Sequence, residues 1–325
     1  MSGALQLGRP APGTLKASAL LVAVVLVAGG IVTAIGGTAA GLVVGLASGS
    51  AMTFGTVMST RSAAAVTLLL GVAAALGAAV SEDPWASGIA VGAITLASAA
   101  ASTYSSGMLM LAPLITLVFA VSDRGMPWWL AGLWGVVGGL IGLGIAALMR
   151  YGKHPPRPLP WAIAWRHAVV LAVAAGGATA VAELLGLQYG FWVAVTMLVA
   201  LRPAPEERGA LVVPRVVGTL LGAVLAALVV LLLPADLVLV AAIGFLVALA
   251  AYAMSGNYFL QTLFLTPMLL LFVSHGDDPG ATVELTLVRV LFTAIGAVLV
   301  VLLVWLMARW DERAGLVGAA TGDDG

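Results

Sequence analysis

The chain has 325 residues, of which 62% are hydrophobic and 9% charged, with no cysteine and with 14 basic against 14 acidic side chains. Soluble globular proteins carry about 25% charged residues; this chain has too few charges to cover a water-soluble body and is too apolar to be disordered. A polytopic membrane protein remains. Zero net charge gives no reason to expect nucleic acid as a partner. The absence of cysteine removes disulfides, thiolate nucleophiles and cysteine metal sites. The histidines (His154, His167, His275) are too scattered to ligate a metal, and no Walker loop, dinucleotide fingerprint or nucleophile motif stands in a suitable context. Neither an enzyme nor a cofactor is expected, and transport without an ATP site is passive or ion-coupled.

A helix crosses the hydrocarbon core in about 20 apolar residues, whereas membrane strands alternate over about 10. The apolar runs here are continuous, so the expected fold is all-α. Twelve spans follow in chain order: 15–35, 38–58, 62–81, 85–104, 107–122, 127–149, 162–185, 189–201, 211–233, 235–254, 259–274 and 285–308. The first is too long, and followed by too many others, to be a cleaved signal. Residues 1–14 and 310–325 read as cytoplasmic tails. The segment 151–161 holds four prolines and cannot continue a helix. It is expected to link two membrane units, 15–150 and 162–309.

Cations concentrate on the cytoplasmic side of membrane proteins. With the N-terminus inside, the inner side holds Arg9, Lys16, Arg61, Arg150, Lys153, Arg157, Arg166, Arg202, Arg208, Arg215, Arg309 and Arg313, and the outer side only Arg124 and Arg289. Both termini are therefore expected inside. Glu82, Asp83, Asp123, Glu183, Asp236, Asp277, Asp278 and Glu284 collect outside. Trp85, Trp128, Trp129 and Trp192 fall at outer ends and Trp161, Trp165, Trp305 and Trp310 at inner ends, as interface belts.

An even number of spans on each side of the linker predicts two parallel six-helix repeats. Landmarks recur in order: Gly71 with Gly222, Pro84 with Pro234, Pro113 with Pro267, Asp123 with Asp277. Within the second half, Arg215-x-x-x-Thr219-x-x-Gly222 and Arg289-x-x-x-Thr293-x-x-Gly296 share one pattern on spans of opposite direction, as a 3+3 inverted repeat would give. Positions i, i+4 and i+7 share a helix face, so each span presents Arg, Thr and Gly as a stripe, with the arginines about one turn into opposite membrane faces. Short or proline-interrupted spans point to a transporter's site. Spans five and eleven carry Pro113 and Pro267, span eight is short and closed by Arg202-Pro203, and span two has Gly37, Gly41, Gly45 and Gly49, a spacing that lets a backbone approach closely. Spans two, five, eight and eleven are the candidate pathway.

An arginine at the centre of a membrane helix costs about 2.5–3.5 kcal/mol; Arg215 and Arg289 are therefore candidates to bind an anion, which guanidinium does with two parallel hydrogen bonds, against snorkelling for both, a topogenic inner charge for Arg215, or pairing of Arg289 with Glu284 or Asp278. Thr196, Asn257, Tyr258, Gln261, Thr262 and Thr266 are the polar groups on the candidate pathway, Asn257 also being suited to cap a helix. No carboxylate sits at a clear midplane position; Glu183 is the candidate for proton coupling.

The second half resembles a family. Tyr189-Gly190-Phe191-Trp192 with Thr196, Leu201-Arg202-Pro203, Arg215-x-x-Gly218-Thr219-x-x-Gly222, Asn257-Tyr258, Thr266-Pro267 and Arg289-x-x-x-Thr293-x-x-Gly296 are similar in order and spacing to the fusaric acid resistance (FUSC-like) family of the aromatic acid exporter superfamily, with the aluminium-activated malate channels as more distant relatives. The resemblance covers about 163–310 and, through the repeat, weakly 15–150. It implies a bacterial inner-membrane exporter or channel for small organic anions, often aromatic carboxylates. Arg215 as the inner and Arg289 as the outer anion-binding position, with Thr219, Thr293, Gly222, Arg202, Trp192 and Pro267, are the candidate residues of the anion pathway. Two departures stand out. Here only a short linker and tail occur where many members have a sizeable cytoplasmic domain. The first half also lacks the arginines, with Ala64 and about Leu130 in their places. If the path needs arginines from both units, a homo-oligomer or an asymmetric pore supplies them. An uncoupled anion channel and a non-transport envelope scaffold are the rival readings; lipid is the partner in all three.

Overall fold

The computed structural model describes residues 14–103, 110–121, 125–148, 158–187, 189–203, 209–255, 257–273 and 279–313. The tails, most of the proline linker, and Asp123, Arg124, Glu206, Glu207, Arg208, Asp277 and Asp278 lie outside them.

Among the described residues there are twelve helices, and the chain is a multi-pass, all-helical membrane protein. Helix α1 (Thr14–Val57) takes in spans one and two and is broken at Gly37, whose φ of 82° an L side chain rarely adopts. The second arm folds back on the first: a Cβ at Gly41 would meet Thr33 and lie 3.0 Å from the carbonyl oxygen of Gly29. Two spans are thus joined with no loop. Helix α2 (Thr60–Ala79) starts at the Ser59 cap, which accepts from Ser62 N–H. Helix α3 (Pro84–Ala97) starts at Asp83, whose carboxylate accepts from Trp85 and Ala86 N–H at 2.8 and 3.1 Å, with Pro84 in the first turn. Span four is split after Ser98 into α3 and the short α4 (Ala99–Ser102); the Ser98 and Ser102 hydroxyls bond carbonyls of their own turns. Then follow α5 (Leu111–Ala120), α6 (Trp128–Leu148), α7 (Trp161–Leu184), α8 (Phe191–Ala200), α9 (Val212–Leu232), α10 (Ala235–Ser255), α11 (Tyr258–Val273) and α12 (Pro279–Arg313).

Among the described residues seven stretches are long and apolar enough to cross a membrane. Five are shorter: Ala39–Gly55, Leu111–Ala120, Phe191–Ala200, Leu237–Tyr252 and Tyr258–Leu271. Four of these five are spans two, five, eight and eleven. A ten-residue helix such as α5 or α8 rises only about 15 Å, half the hydrocarbon core.

Helix packing is close wherever glycine permits it. Helix α6 wedges between the second arm of α1 and α2. A Cβ at Gly138 would lie 2.7 Å from the Val44 backbone, one at Gly142 would meet the Ser48 carbonyl, and one at Gly135 would lie 2.9 Å from the Gly71 Cα. The Ser48 hydroxyl donates to the Gly138 carbonyl at 2.9 Å, and Thr116 of α5 donates to the Ala73 carbonyl of α2 at 3.1 Å. The glycine row of span two behaves otherwise than its spacing suggests. Only Gly41 sits against another backbone; Gly45 and Gly49 face open space, and Val44, Ala47 and Ser48 make the approach to α6.

Packing partners recur between the halves. The second arm of α1 packs on α6, and α8 on α12; α2 packs on α6 and α5, and α9 on α12 and α11; α3 packs on α5, and α10 on α11. Across the middle, α3 packs on α7, and α10 on α1. Individual landmarks do not all coincide: Gly71 faces α6, whereas Gly222 faces α11. The main core runs through the junction of the halves, from Val91 and Leu117 to Leu171, Val193–Leu201 and Val300. Helix α8 is buried over almost its whole length, as expected of a helix apolar on every side. Large side chains such as Leu20, Val27, Ile89, Val173, Leu232, Leu291 and Val298 are exposed and form the lipid-facing surface.

Candidate anion site

Helices α9 and α12 each turn one polar stripe inward. On α9, Val213, Leu220, Leu221 and Val224 are exposed, while Arg215, Gly218, Thr219 and Gly222 are buried. On α12, Leu287, Leu291, Ile295 and Val298 are exposed, while Arg289 and Thr293 are buried. Arg215 is 2% and Arg289 1% exposed, the two largest fully buried side chains of the described residues. Neither therefore snorkels to a headgroup.

Close packing explains the orientation. A Cβ at Gly218 would lie 2.9 Å from Thr262 and 3.1 Å from the Phe259 carbonyl, so this face of α9 rests on α11. A Cβ at Gly222 would lie 2.7 Å from the Leu263 carbonyl and 3.0 Å from Pro267. Pro267 has no N–H, which leaves the Leu263 carbonyl without its helical donor; glycine on α9 is what lets the neighbouring backbone lie against it. On α12, a Cβ at Gly296 would lie 2.7 Å from Thr196 and 3.1 Å from the Val193 carbonyl, so its stripe rests on α8.

The stripes converge. Helix α9 packs directly on α12, so the two stripes turn into one interior. The Arg289 guanidinium lies over the Trp192 ring, 3.7 Å from its centroid. Trp192 is thus an inward contact rather than a belt residue. Arg289 Nε and Nη1, Arg215 Nε, Thr219 Oγ1 and the Tyr258 hydroxyl are buried without a hydrogen-bond partner. A desolvated cation–π contact contributes about 2 kcal/mol, while each unpaired buried polar group costs about 1–3 kcal/mol. The stack with Trp192 offsets only part of that cost. Beside Arg289 lies a small cavity of about 50 Å³, walled by Tyr189, Phe191, Trp192, Leu269, Leu270 and Leu285.

Other candidates are satisfied by the backbone. The hydroxyls of Thr196, Thr262 and Thr266 donate to the carbonyls of Trp192, Tyr258 and Thr262. Gln261 Nε2 donates to the Tyr252 carbonyl at 3.2 Å, and Asn257 accepts from Leu260 N–H, capping α11. Arg202 is partly buried.

Glu183, near the end of α7, lines a larger cavity of about 380 Å³ together with Ser81, Glu82, Ala120, Leu187 and Phe191. One of its oxygens is buried without a partner; the nearby Ser87 hydroxyl of α3 donates to the Val80 carbonyl at 3.0 Å. The sequence offers no motif for this cavity, because four separate segments supply its wall. Among the described residues no three His, Asp or Glu side chains group as metal ligands.

Comparison with curated proteins finds no match, and comparison with solved structures finds none. Residues 174–303 match the family model described as fusaric acid resistance protein-like. The matched stretch runs from α7 through α12 and contains both arginine stripes, Trp192 and Pro267. Over residues 174–303 this membrane protein is similar to the fusaric acid resistance protein-like family, the family that its residue pattern resembles.

Proposed function

We propose that the chain is a twelve-span permease of the bacterial plasma membrane that exports small organic anions, often aromatic carboxylates. Arg215 serves the inner and Arg289 the outer part of one anion path. Thr219, Thr293 and Gly222 let the substrate approach, and spans two, five, eight and eleven frame the route. The two halves are parallel repeats, each of 3+3 inverted design, with both termini inside. The recurring helix pairings support the parallel repeat, and the twin stripes support the inverted one. The family match favours membrane transport and efflux.

The observation that carries the reading is the burial of two arginines, with Arg215 Nε and Arg289 Nε and Nη1 lacking partners. A buried guanidinium with vacant donors and an aromatic wall suits a carboxylate attached to a ring. In proteoliposomes, Arg215→Ala abolishes carboxylate flux while the protein stays monodisperse; unchanged flux in that variant removes the assignment. Glu183 is the coupling residue for protons. An uncoupled channel would instead respond to voltage and ignore an imposed pH gradient, and Glu183→Gln would leave its flux intact.

A further inference from the structure

Two compartments meet at one side chain. The larger lies at the turn into α3 and the ends of α5 and α7, and Glu82 and Glu183 make it acidic. The smaller lies against Arg289. Phe191 lines both. It is the first residue of α8, partly buried, with its ring 4.7 Å from the Trp192 ring and tilted 34° to it. Trp192 in turn carries the Arg289 guanidinium. Phenyl, indole and guanidinium therefore follow one another from the acidic compartment to the cationic one.

The backbone beneath this stack is clamped. A Cβ at Gly190 would lie 2.6 Å from Ala182 and 3.0 Å from Leu187, so the start of α8 is held against the end of α7. The ring can still change rotamer, a motion that needs no backbone shift. We propose that Phe191 is a side-chain partition between the acidic vestibule and the arginine compartment, closed in the conformation described and opened by rotation of the ring. The inference rests on the proposed anion path for what passes; the partition itself rests on the two cavities. An anion at Arg289 is attracted there and is repelled by the acidic chamber beyond Phe191. Phe191 thus sets how often the Arg289 compartment is open to that chamber.

The absence of cysteine makes the test direct, because Leu285→Cys places a single thiol in the arginine compartment. The probe is a small sulfonated methanethiosulfonate reagent, which lipid does not dissolve, applied to the full chain in proteoliposomes. Phe191→Ala speeds labelling about ten-fold or more, Phe191→Leu less, and Phe191→Trp not at all, since labelling follows the open fraction. Equal rates across the series overturn the partition. If Phe191→Ala does not fold, the contrast between Phe191→Leu and Phe191→Trp decides. Carboxylate flux from the same vesicles separates the two ideas. Faster labelling without Arg215-dependent flux keeps the partition and removes the transport reading; Arg215-dependent flux with flat labelling does the reverse.

Discussion

Helices α6 and α12 occupy corresponding places in the packing of the two halves and are built in opposite ways. Helix α6 meets its neighbours through Gly135, Gly138, Gly139 and Gly142, backbone against backbone or side chain, and presents no charge to the core. Helix α12 meets α8 closely at Gly296, and elsewhere on the same helix it buries Arg289 and Thr293. Where backbones touch, nothing can bind. Where side chains hold helices apart, a cavity remains beside a cation. One frame can thus give a scaffold half and a site half, and the missing arginines of the first half are part of that division.

The largest effect that would break this contrast is steric. Gly142→Val drives side-chain atoms into the Ser48 carbonyl; overpacking of this kind costs about 1–3 kcal/mol or more, and loss of the monodisperse peak in size-exclusion chromatography is the expected outcome. Next comes Arg289→Met. It removes anion flux by at least about ten-fold, yet leaves thermal stability unchanged or raised, because replacing a buried charge by an apolar side chain of similar volume is often neutral or stabilising by about 1–4 kcal/mol. A melting temperature that fell as far as for Gly142→Val would assign Arg289 to the scaffold. The smallest effect is at Gly45, where a Cβ meets nothing within 4 Å. Gly45→Ala raises stability by up to about 1 kcal/mol, the helix-propensity difference, and thermal unfolding reads it.

Much of the fold is legible because hydrocarbon imposes a length on every span. All twelve apolar runs became helix, and Asp83-Pro84 marks the start of α3 as its chemistry demands. The ends of span eight are less legible: 189–201 contracts to Phe191–Ala200. Composition cannot distinguish a buried apolar turn from a buried apolar helix. The inward face of Arg215 and Arg289 follows from the i, i+4, i+7 stripe, since every other face of those helices is lipid-soluble. Trp192 does not follow, because an indole near a span end reads the same whether it faces headgroups or an arginine on another helix. The idle Gly45 and Gly49 make the same point: spacing announces that a backbone can approach, not that one does. Phe191 matters through neighbours on other helices, and one chain's spacing holds no record of that distance.

The crossing of α3 and α7 constrains how the halves can move. A Cβ at Gly88 would lie 2.6 Å from the Gly176 carbonyl oxygen, and one at Gly176 would lie 2.5 Å from that of Gly88. No side-chain layer separates the two rods there, so sliding has nothing to shear, whereas rolling keeps the contact. The opposite junction, between the first arm of α1 and α10, is made of Leu21, Val22, Leu246 and Val247, which can exchange rotamers. One junction is thus closed backbone against backbone, and the other is a layer of side chains that can repack.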